Sequence, residues 1–433
     1  AGKPDKKRRG HGPSEQLQLL VVDQDHPLPD DQRTCPQCHG TVEPMGDQAE
    51  VSEEITIMQS QVVLVRHRRL KYRCRCNACV LTAPAPEKLQ AGGRYSISFS
   101  VHVAADKYLD HLPLSRQAGR FARMGLKVSP QTLWDQVRAL LPHLRPTYQA
   151  MCAEILSAPV VNADETHWHF LAGDQSGERK RWYAWGISTP SLAAYHILDS
   201  RSNEAAKLVL AGYAGTVVAD GYRVYGSLSQ DGRQEKCLET GQPPPRFRLA
   251  NCWAHVRRKF VEALNHYPEG QTAIDLIGLL FHVEHRAGPI GDESTLDLRA
   301  HLRESLSRPL VDALFAWSKA QKALPRSLFG RALAYMQSLK AGLTVFLDDP
   351  RVPIHNNAAE RSLRGMVVGR KTHYGSKSRL GIEAAAVCYT LFESAKLSGI
   401  DPVAYVEAVA RQAIRQPGAV LLPAEFKARC QSS

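Results

Sequence analysis

The stretch Val160 to Phe170 reads VVNADETHWHF and follows Pro159. A β-branched run that leads straight into the acid pair Asp164 and Glu165 is the pattern of a buried strand delivering a carboxylate to its exposed end. A second such run, GTVVAD from Gly215 to Asp220, offers another carboxylate in the same way. A third candidate, Glu360, stands in HNNAAERSLR, far along the chain and in a helical pattern. Carboxylates are hard oxygen ligands, and three drawn together suit two divalent metal ions that activate one oxygen and stabilise a departing one. That is the machinery of phosphodiester cleavage and joining.

Outward from this stretch, strands are predicted over 159–170, Arg181 to Ser188 and Leu192 to Leu198. A helix from Asn203 to Leu210, the strand ending at Asp220 and a short strand from Arg246 to Ala250 follow. Three strands, a helix, a strand and a fifth strand match the order of an α/β ribonuclease-H-like core, whose first and fourth strands lie side by side. The next hundred residues, including WAHVRRKFVEAL and LFGRALAYMQSLKAGLTVFL, are mostly helical and separate Asp220 from Glu360, which predicts a helical insertion. Helices are then expected near 356–364, 381–398 and 402–414.

Towards the amino terminus, Cys35-Pro-Gln-Cys38 and Cys76-Asn-Ala-Cys79 form two C-x-x-C knuckles, the spacing at which paired thiolates reach one tetrahedral zinc. Cys74 is an alternative to Cys76 as third ligand. Alternating segments between the knuckles, Glu54 to Met58 and Val62 to Val65, predict a hairpin. Arg66, Arg68, Arg69, Lys71, Arg73 and Arg75 give this zinc-ribbon-like module a basic face suited to phosphates. LPLSRQAGRFARMGLKVSPQTLWDQVRAL then reads as a helix, a glycine turn and a second helix opened by Ser129 as cap and Pro130 at its first position. That is a helix-turn-helix outline, with Arg116, Arg120, Arg123 and Lys127 as its DNA-facing cations. The segments expected are a basic lead-in over 1–34, the zinc module over 35–90 and the helix-turn-helix region over 91–150. The core begins over 151–252, is interrupted by the insertion over 253–350, and is completed over 351–433.

The chain has 433 residues, 43% of them hydrophobic, and a formal net charge of +12, a balance that favours a polyanionic partner. No apolar run reaches the roughly 18 residues of a membrane span, and AGKPDKKRRGHGP lacks the apolar core of a signal peptide. Five of the ten cysteines fall before residue 80 and the rest are scattered, which argues against a disulfide framework. A cytoplasmic, nucleoid-associated protein with no membrane partner is expected.

CPQC with CRCNAC, KYLDHLPLSRQ, NADETHW, VVADGYRVY, NCWAHVRRKF, HNNAAERSLR and GRKTHYGS occur in this order. On these motifs the chain resembles the transposases of insertion-sequence family sixty-six, the TnpC-type bacterial enzymes with a DDE catalytic domain. The resemblance implies a ribonuclease-H-like core and magnesium or manganese at Asp164, Asp220 and Glu360. It also implies a transposase that cuts at element ends and transfers the freed 3′ hydroxyls into target DNA. Expected partners are those DNAs, further copies of the chain on them, and helper proteins of the same element. Glu383 and Glu393 are rival third acids, but Asn356 and Asn357 precede Glu360 in the family motif. Arg361 and Arg364 follow Glu360, and Arg257, Arg258, Lys259, Arg370 and Lys371 are further candidates for phosphate contact. His167 and His169 are candidate substrate contacts, whereas Cys252 and His255 have zinc-like spacing without a second pair and are expected to pack. Two departures from the family are His355, where an acid is common, and the lack of a coiled-coil-like amino-terminal region. Two rival readings are a zinc-containing DNA-binding regulator with an inactive core and a nuclease without strand transfer. The three intact acids oppose the first.

The knuckles carry a direct prediction. Metal analysis of natively purified chain, washed with chelator, returns about one zinc per chain, as a single tetrahedral site requires; no zinc would refute it.

Overall fold

A computed structural model describes residue 37 and residues 62–73, 80–172, 181–230 and 246–432. Cys35, Cys38, Cys74, Cys76 and Cys79 lie outside the described residues, as do Arg75 and the segment Glu54 to Met58. The described residues from 62 onward belong to one compact unit. It opens with a hairpin of β1 (Lys71–Arg73) and β2 (Val80–Thr82). The hairpin expected to use Val62 to Val65 therefore pairs later residues; Val63, Leu64 and Val65 are 61–73% exposed, with no sheet face to cover them.

Three helices follow: α1 (Ile97–Tyr108), α2 (Leu114–Arg123) and α3 (Pro130–Ser157). Ser129 caps α3 by accepting from the Thr132 N–H at 3.0 Å, and Gly125 turns the chain with φ of 86°. The α3 helix runs past residue 150 into the sheet domain. It packs with α1, with β5 (Ala193–Leu198) and with two late helices given below, so one hydrophobic core joins these early helices to the late ones.

The central sheet has the order β5-β4-β3-β6-β7. Here β3 is Val160–His169, β4 is Arg181–Ser188, β6 is Thr216–Ala219 and β7 is Arg248–Asn251. The β3-β4 and β4-β5 pairs are antiparallel, while β3-β6 and β6-β7 are parallel. First and fourth strands of the sheet are thus neighbours, and helices cover both faces. Trp168, Trp182, Ala184 and Tyr195 enter one core, while Val161, Ala163, Trp185 and Ile187 enter another with α4 (Asn203–Val209) and α5 (Arg223–Gln230). This is the period-two alternation of a sheet buried on two sides.

Between β7 and the last part of the chain lies the helical block: α6 (Trp253–Ala263), α7 (Gly270–Arg286), α8 (Leu296–Leu302), α9 (Arg308–Ala320), α10 (Leu328–Ser338) and two single turns, α11 (Lys340–Leu343) and α12 (Val345–Asp348). The chain ends in α13 (Asn357–His373), α14 (Arg379–Leu397), α15 (Pro402–Arg415) and α16 (Pro423–Gln431). Among the described residues, no helix is long and apolar enough to cross a membrane.

The block is tied to the approach to α13 by a buried guanidinium. Arg303 is fully buried and donates to both Glu284 carboxylate oxygens at 2.7 Å. It also donates to the carbonyls of Phe346, Asp349 and Val352 at 2.6–2.9 Å. These bonds fix the turn that delivers residues 349–356 to the sheet. Removing only the acid leaves a buried cation unpaired, so Glu284→Ala lowers unfolding stability in urea by about 3–5 kcal/mol. A loss below about 1 kcal/mol would show that the pair carries little.

Candidate active site

Asp164 is the fifth residue of the ten-residue β3, not its end. The pairing of β3 with β6 stops at Asn162 opposite Val218, while β3 runs on against β4 to His169 opposite Arg181. The carboxylate is therefore freed by the end of its neighbour rather than of its own strand. Asp220 follows directly after β6, where its Oδ1 accepts from the Tyr222 N–H at 2.8 Å. A Cβ on Gly221 would run into the Tyr335 hydroxyl, so glycine lets α10 of the helical block close over this turn. Burial, then the Asp220 charge, pushes the Tyr335 hydroxyl up to about 12.

Glu360 lies in the first turn of α13, where the helix dipole favours an anion. The helix start is held by Asn356, which is fully buried. Its side-chain amide donates to Ala163 O at 2.8 Å, its side-chain oxygen accepts from Asn162 at 2.9 Å, and its backbone N–H reaches Cys252 Sγ at 3.2 Å. One residue thus locks α13 to β3 beside Asp164 and to the start of α6. Cys252 is spent as a buried acceptor in this joint, in line with the expectation that it packs.

The electrostatics join the acids. Burial pushes the Asp164 carboxyl up to about 7; the adjacent Glu165 charge adds to this, as do Asp220 and Glu360, against a hydrogen bond from the Glu165 N–H. Glu360 faces His255, whose Nε2 is 3.6 Å from Oε1, and the Arg258 guanidinium 3.9 Å from Oε2, yet its Oε1 is buried without a hydrogen-bond partner. The rivals are occupied elsewhere: Glu383 pairs with Arg145 at 2.6 Å and Glu393 with Lys396 at 2.7 Å. Among the described residues, no three His, Cys, Asp or Glu side chains close into a finished metal cage. Asp164, on which the charges of Asp220 and Glu360 act, and a Glu360 oxygen without a partner are nevertheless hard oxygen donors of the kind a divalent cation takes.

Glu165, which sequence reasoning treated only as half of an acid pair, anchors the site from beneath. Its side chain is 1% exposed, pairs with Arg201, and accepts from the Tyr225 hydroxyl at 2.8 Å. Arg201 stacks 3.8 Å over the Tyr222 ring, and Tyr222 holds Asp220 through its N–H. The signal available was the DE pair together with the tyrosines of DGYRVY; nothing in sequence linked Arg201 to them.

The expected phosphate contacts divide. Arg116, Arg123, Lys127, Arg257, Lys259, Arg361, Arg364 and Lys371 are exposed. Arg120 is engaged with Asp106, and Arg258 sits beside Glu360. Arg370 is half-buried and donates to Thr166 Oγ1 at 3.3 Å and to His167 O, so it braces β3. The helix expected to stop near 364 runs on to His373, which brings Arg370 back along β3. His167 is exposed, its ring 4.9 Å from that of Tyr183, and the His169 carbonyl accepts from Ser376 N at 2.9 Å. A Cβ on Gly375, at φ of 93°, would strike that His169 carbonyl, which accounts for the glycine in GRKTHYGS.

The raised Asp164 carboxyl has a signed consequence. A carboxyl near 7 in the folded chain against 3.8 ordinarily binds its proton more tightly when folded, so ionisation erodes stability as pH climbs from about 4 through about 7. Without divalent metal, Asp164→Asn is accordingly more stable than wild type above pH 7, on the order of 2–4 kcal/mol. The two converge towards pH 4 in urea unfolding. A difference that does not vary with pH would contradict the electrostatics described.

The comparisons with known proteins give the family. Residues 92–384 match the family described as "Transposase IS66 family", a range that includes Asp164, Asp220 and Glu360. Residues 32–77 match the "zinc-finger binding domain of transposase IS66", a range that contains Cys35, Cys38, Cys74 and Cys76 and ends before Cys79. An uncharacterized protein of Sinorhizobium fredii, y4jD, is 30% identical over 416 residues, spanning 92% of this chain and 78% of its own. Another from that organism, y4hP, is 28% identical over 420 residues, spanning 91% and 73%. With the transposase family matched over well more than half of its length, the chain belongs to the IS66 family of transposases.

Proposed function

We propose that this protein is a DNA transposase of the DDE type, with Asp164, Asp220 and Glu360 as its catalytic acids on a ribonuclease-H-like core. The observation that carries the reading is that a mid-strand residue, a strand end and a distant helix deliver three carboxylates, with the charges of Asp220 and Glu360 acting on Asp164. The strand order β5-β4-β3-β6-β7 supports that core. Asp164, Asp220 and Glu360 would hold magnesium or manganese, which would supply activation of an oxygen nucleophile and stabilisation for the departing oxygen. Hydrolysis of a phosphodiester at the element end frees a 3′ hydroxyl, and that hydroxyl displaces a 3′ oxygen of target DNA, forming one phosphodiester as another breaks.

The chain's own residues prepare this reaction. Asn356 fixes Glu360 against β3, and the Glu165, Arg201 and Tyr222 chain orients Asp164 and Asp220. Exposed Arg361, Arg364 and Lys371 on α13, and Arg257 and Lys259 on α6, extend a basic face from Glu360 for the DNA backbone. Zinc held by Cys35, Cys38, Cys76 and Cys79, with Cys74 as the alternative ligand, would shape the amino-terminal module. Together with α2 and α3 as a helix-turn-helix, that module would read the element ends. The matched zinc-finger range supports a zinc-binding module here, because it takes in Cys35, Cys38, Cys74 and Cys76; Cys79 lies two residues beyond it.

In an assay with element-end DNA and magnesium, Asp164→Asn, Asp220→Asn and Glu360→Gln each lose at least about 100-fold in cleavage and strand transfer, while binding end DNA as wild type does. Glu383→Gln stays active. Normal cleavage by Glu360→Gln with loss in Glu383→Gln would transfer the third role to the other acid.

A further inference from the structure

Tyr374, directly after α13, has φ of 61°, and among the described residues only His111 is another non-glycine with positive φ. Left-handed backbone crowds a bulky side chain, and a helix closes there at lower cost on glycine or asparagine. The side chain gives the fold little in return. Tyr374 is 69% exposed, the most exposed aromatic residue among those described, and its ring makes no aromatic contact or hydrogen bond with them.

The turn that carries it is fixed. The Tyr374 N–H closes α13 on Arg370 O at 3.0 Å, and a Cβ on the next residue, Gly375, would meet the His169 carbonyl. Ser376 donates its N–H to His169 O at 2.9 Å and accepts from the Leu171 N–H at 2.8 Å. The Trp168 indole N–H reaches the Ser376 hydroxyl at 3.2 Å. These bonds join the turn to the end of β3, the strand of Asp164, and hold the tyrosine in its strained conformation.

The surroundings suit a polyanion. Residues 361–382 contain no Asp or Glu but six cations: Arg361, Arg364, Arg370, Lys371, Lys377 and Arg379. All but the half-buried Arg370 are exposed, and none of the six forms an ion pair with a carboxylate among the described residues. Arg361, Arg364 and Lys371 are spaced to share one face of α13. That face starts beside Glu360, and Tyr374 stands about 20 Å further along the helix axis. Cations that follow a backbone and an aromatic ring that stacks on a base are the means of gripping single-stranded nucleic acid. In a duplex both faces of a base are covered by its neighbours, so the ring meets a base that has left the stack.

We propose that Tyr374 is a base-stacking residue, holding one unpaired base of a DNA strand that runs along the cationic face of α13 towards Glu360. The choice of DNA rests on the reading above. Stacking itself needs neither metal nor the three acids.

The test is fluorescence-anisotropy titration of the whole chain, with chelator, using one oligonucleotide as a single strand and as its blunt duplex. Tyr374→Gly weakens single-strand binding about tenfold and duplex binding less than about twofold, whereas Tyr374→Phe binds both as wild type does. Because glycine suits the left-handed turn, Tyr374→Gly melts within a few degrees of wild type or above it. Ultraviolet crosslinking of a single strand carrying iododeoxyuridine places the adduct on the peptide that holds Tyr374. Equal loss on both DNAs, no loss on either, or a clearly lower melting temperature would each overturn the proposal. A change of oligomeric state in Tyr374→Gly, read by light scattering, would give the ring to a second copy of the chain and overturn it too. None of these results touches cleavage of element-end DNA by wild type, whose absence would instead refute the catalytic reading.

Discussion

Everything near the three acids depends on one buried amide. Asn356 gives a proton to a β3 carbonyl, takes one from Asn162, and sends its backbone N–H to Cys252 at the start of α6. An amide offers both a donor and an acceptor without charge; aspartate at this fully buried position would lose the donor and bury an anion. The side chain is so committed to the sheet that it makes no capping bond to its own helix. Helix register then brings Glu360 into the first turn, beside β3. Acids from distant parts of the chain are thereby tied to one joint.

That joint holds like charges together, and the surroundings show how the strain is managed. Asp164 is left half-buried with its acidity weakened, while Glu360 is faced by His255 and Arg258 from α6. Below them, Glu165 is neutralised by Arg201 rather than left to add fully to the repulsion. The helical block takes part, because Tyr335 closes over the turn after Asp220 and Arg303 pins the turn before Asn356. An insertion so placed is part of the site's framework rather than an ornament on a loop. Its buried guanidinium is consistent with positioning, since the net stabilisation by a buried ion pair is small.

Local chemistry was legible in the sequence where local forces decide it. The strand expected over RWYAWGIS is β4 with those bounds, and Ser129 with Pro130 marked the start of α3. Asp164, Asp220 and Glu360 stood out by residue type and by their family motifs. Legibility failed where distant contacts decide. The continuation of β3 past Asp164 depends on its partner β4, and the length of α13 depends on packing against β3. Arg370 looked like a free cation because no sequence pattern shows that a helix four turns long folds it back onto His167. The doubled asparagine of HNNAAERSLR was visible as a motif, but the division of labour between a buried clamp and a helical residue is a tertiary fact. Arg201 carried no motif at all.

The central claim is that acids on β3, after β6 and on α13 form one divalent-metal site. Manganese binding to the whole chain, read by electron paramagnetic resonance, tests it without any need for catalysis. Wild type takes up manganese saturably, and Asp164→Asn, Asp220→Asn and Glu360→Gln each weaken the same bound signal while the fold persists. Full manganese uptake by any one of the three variants would contradict the account.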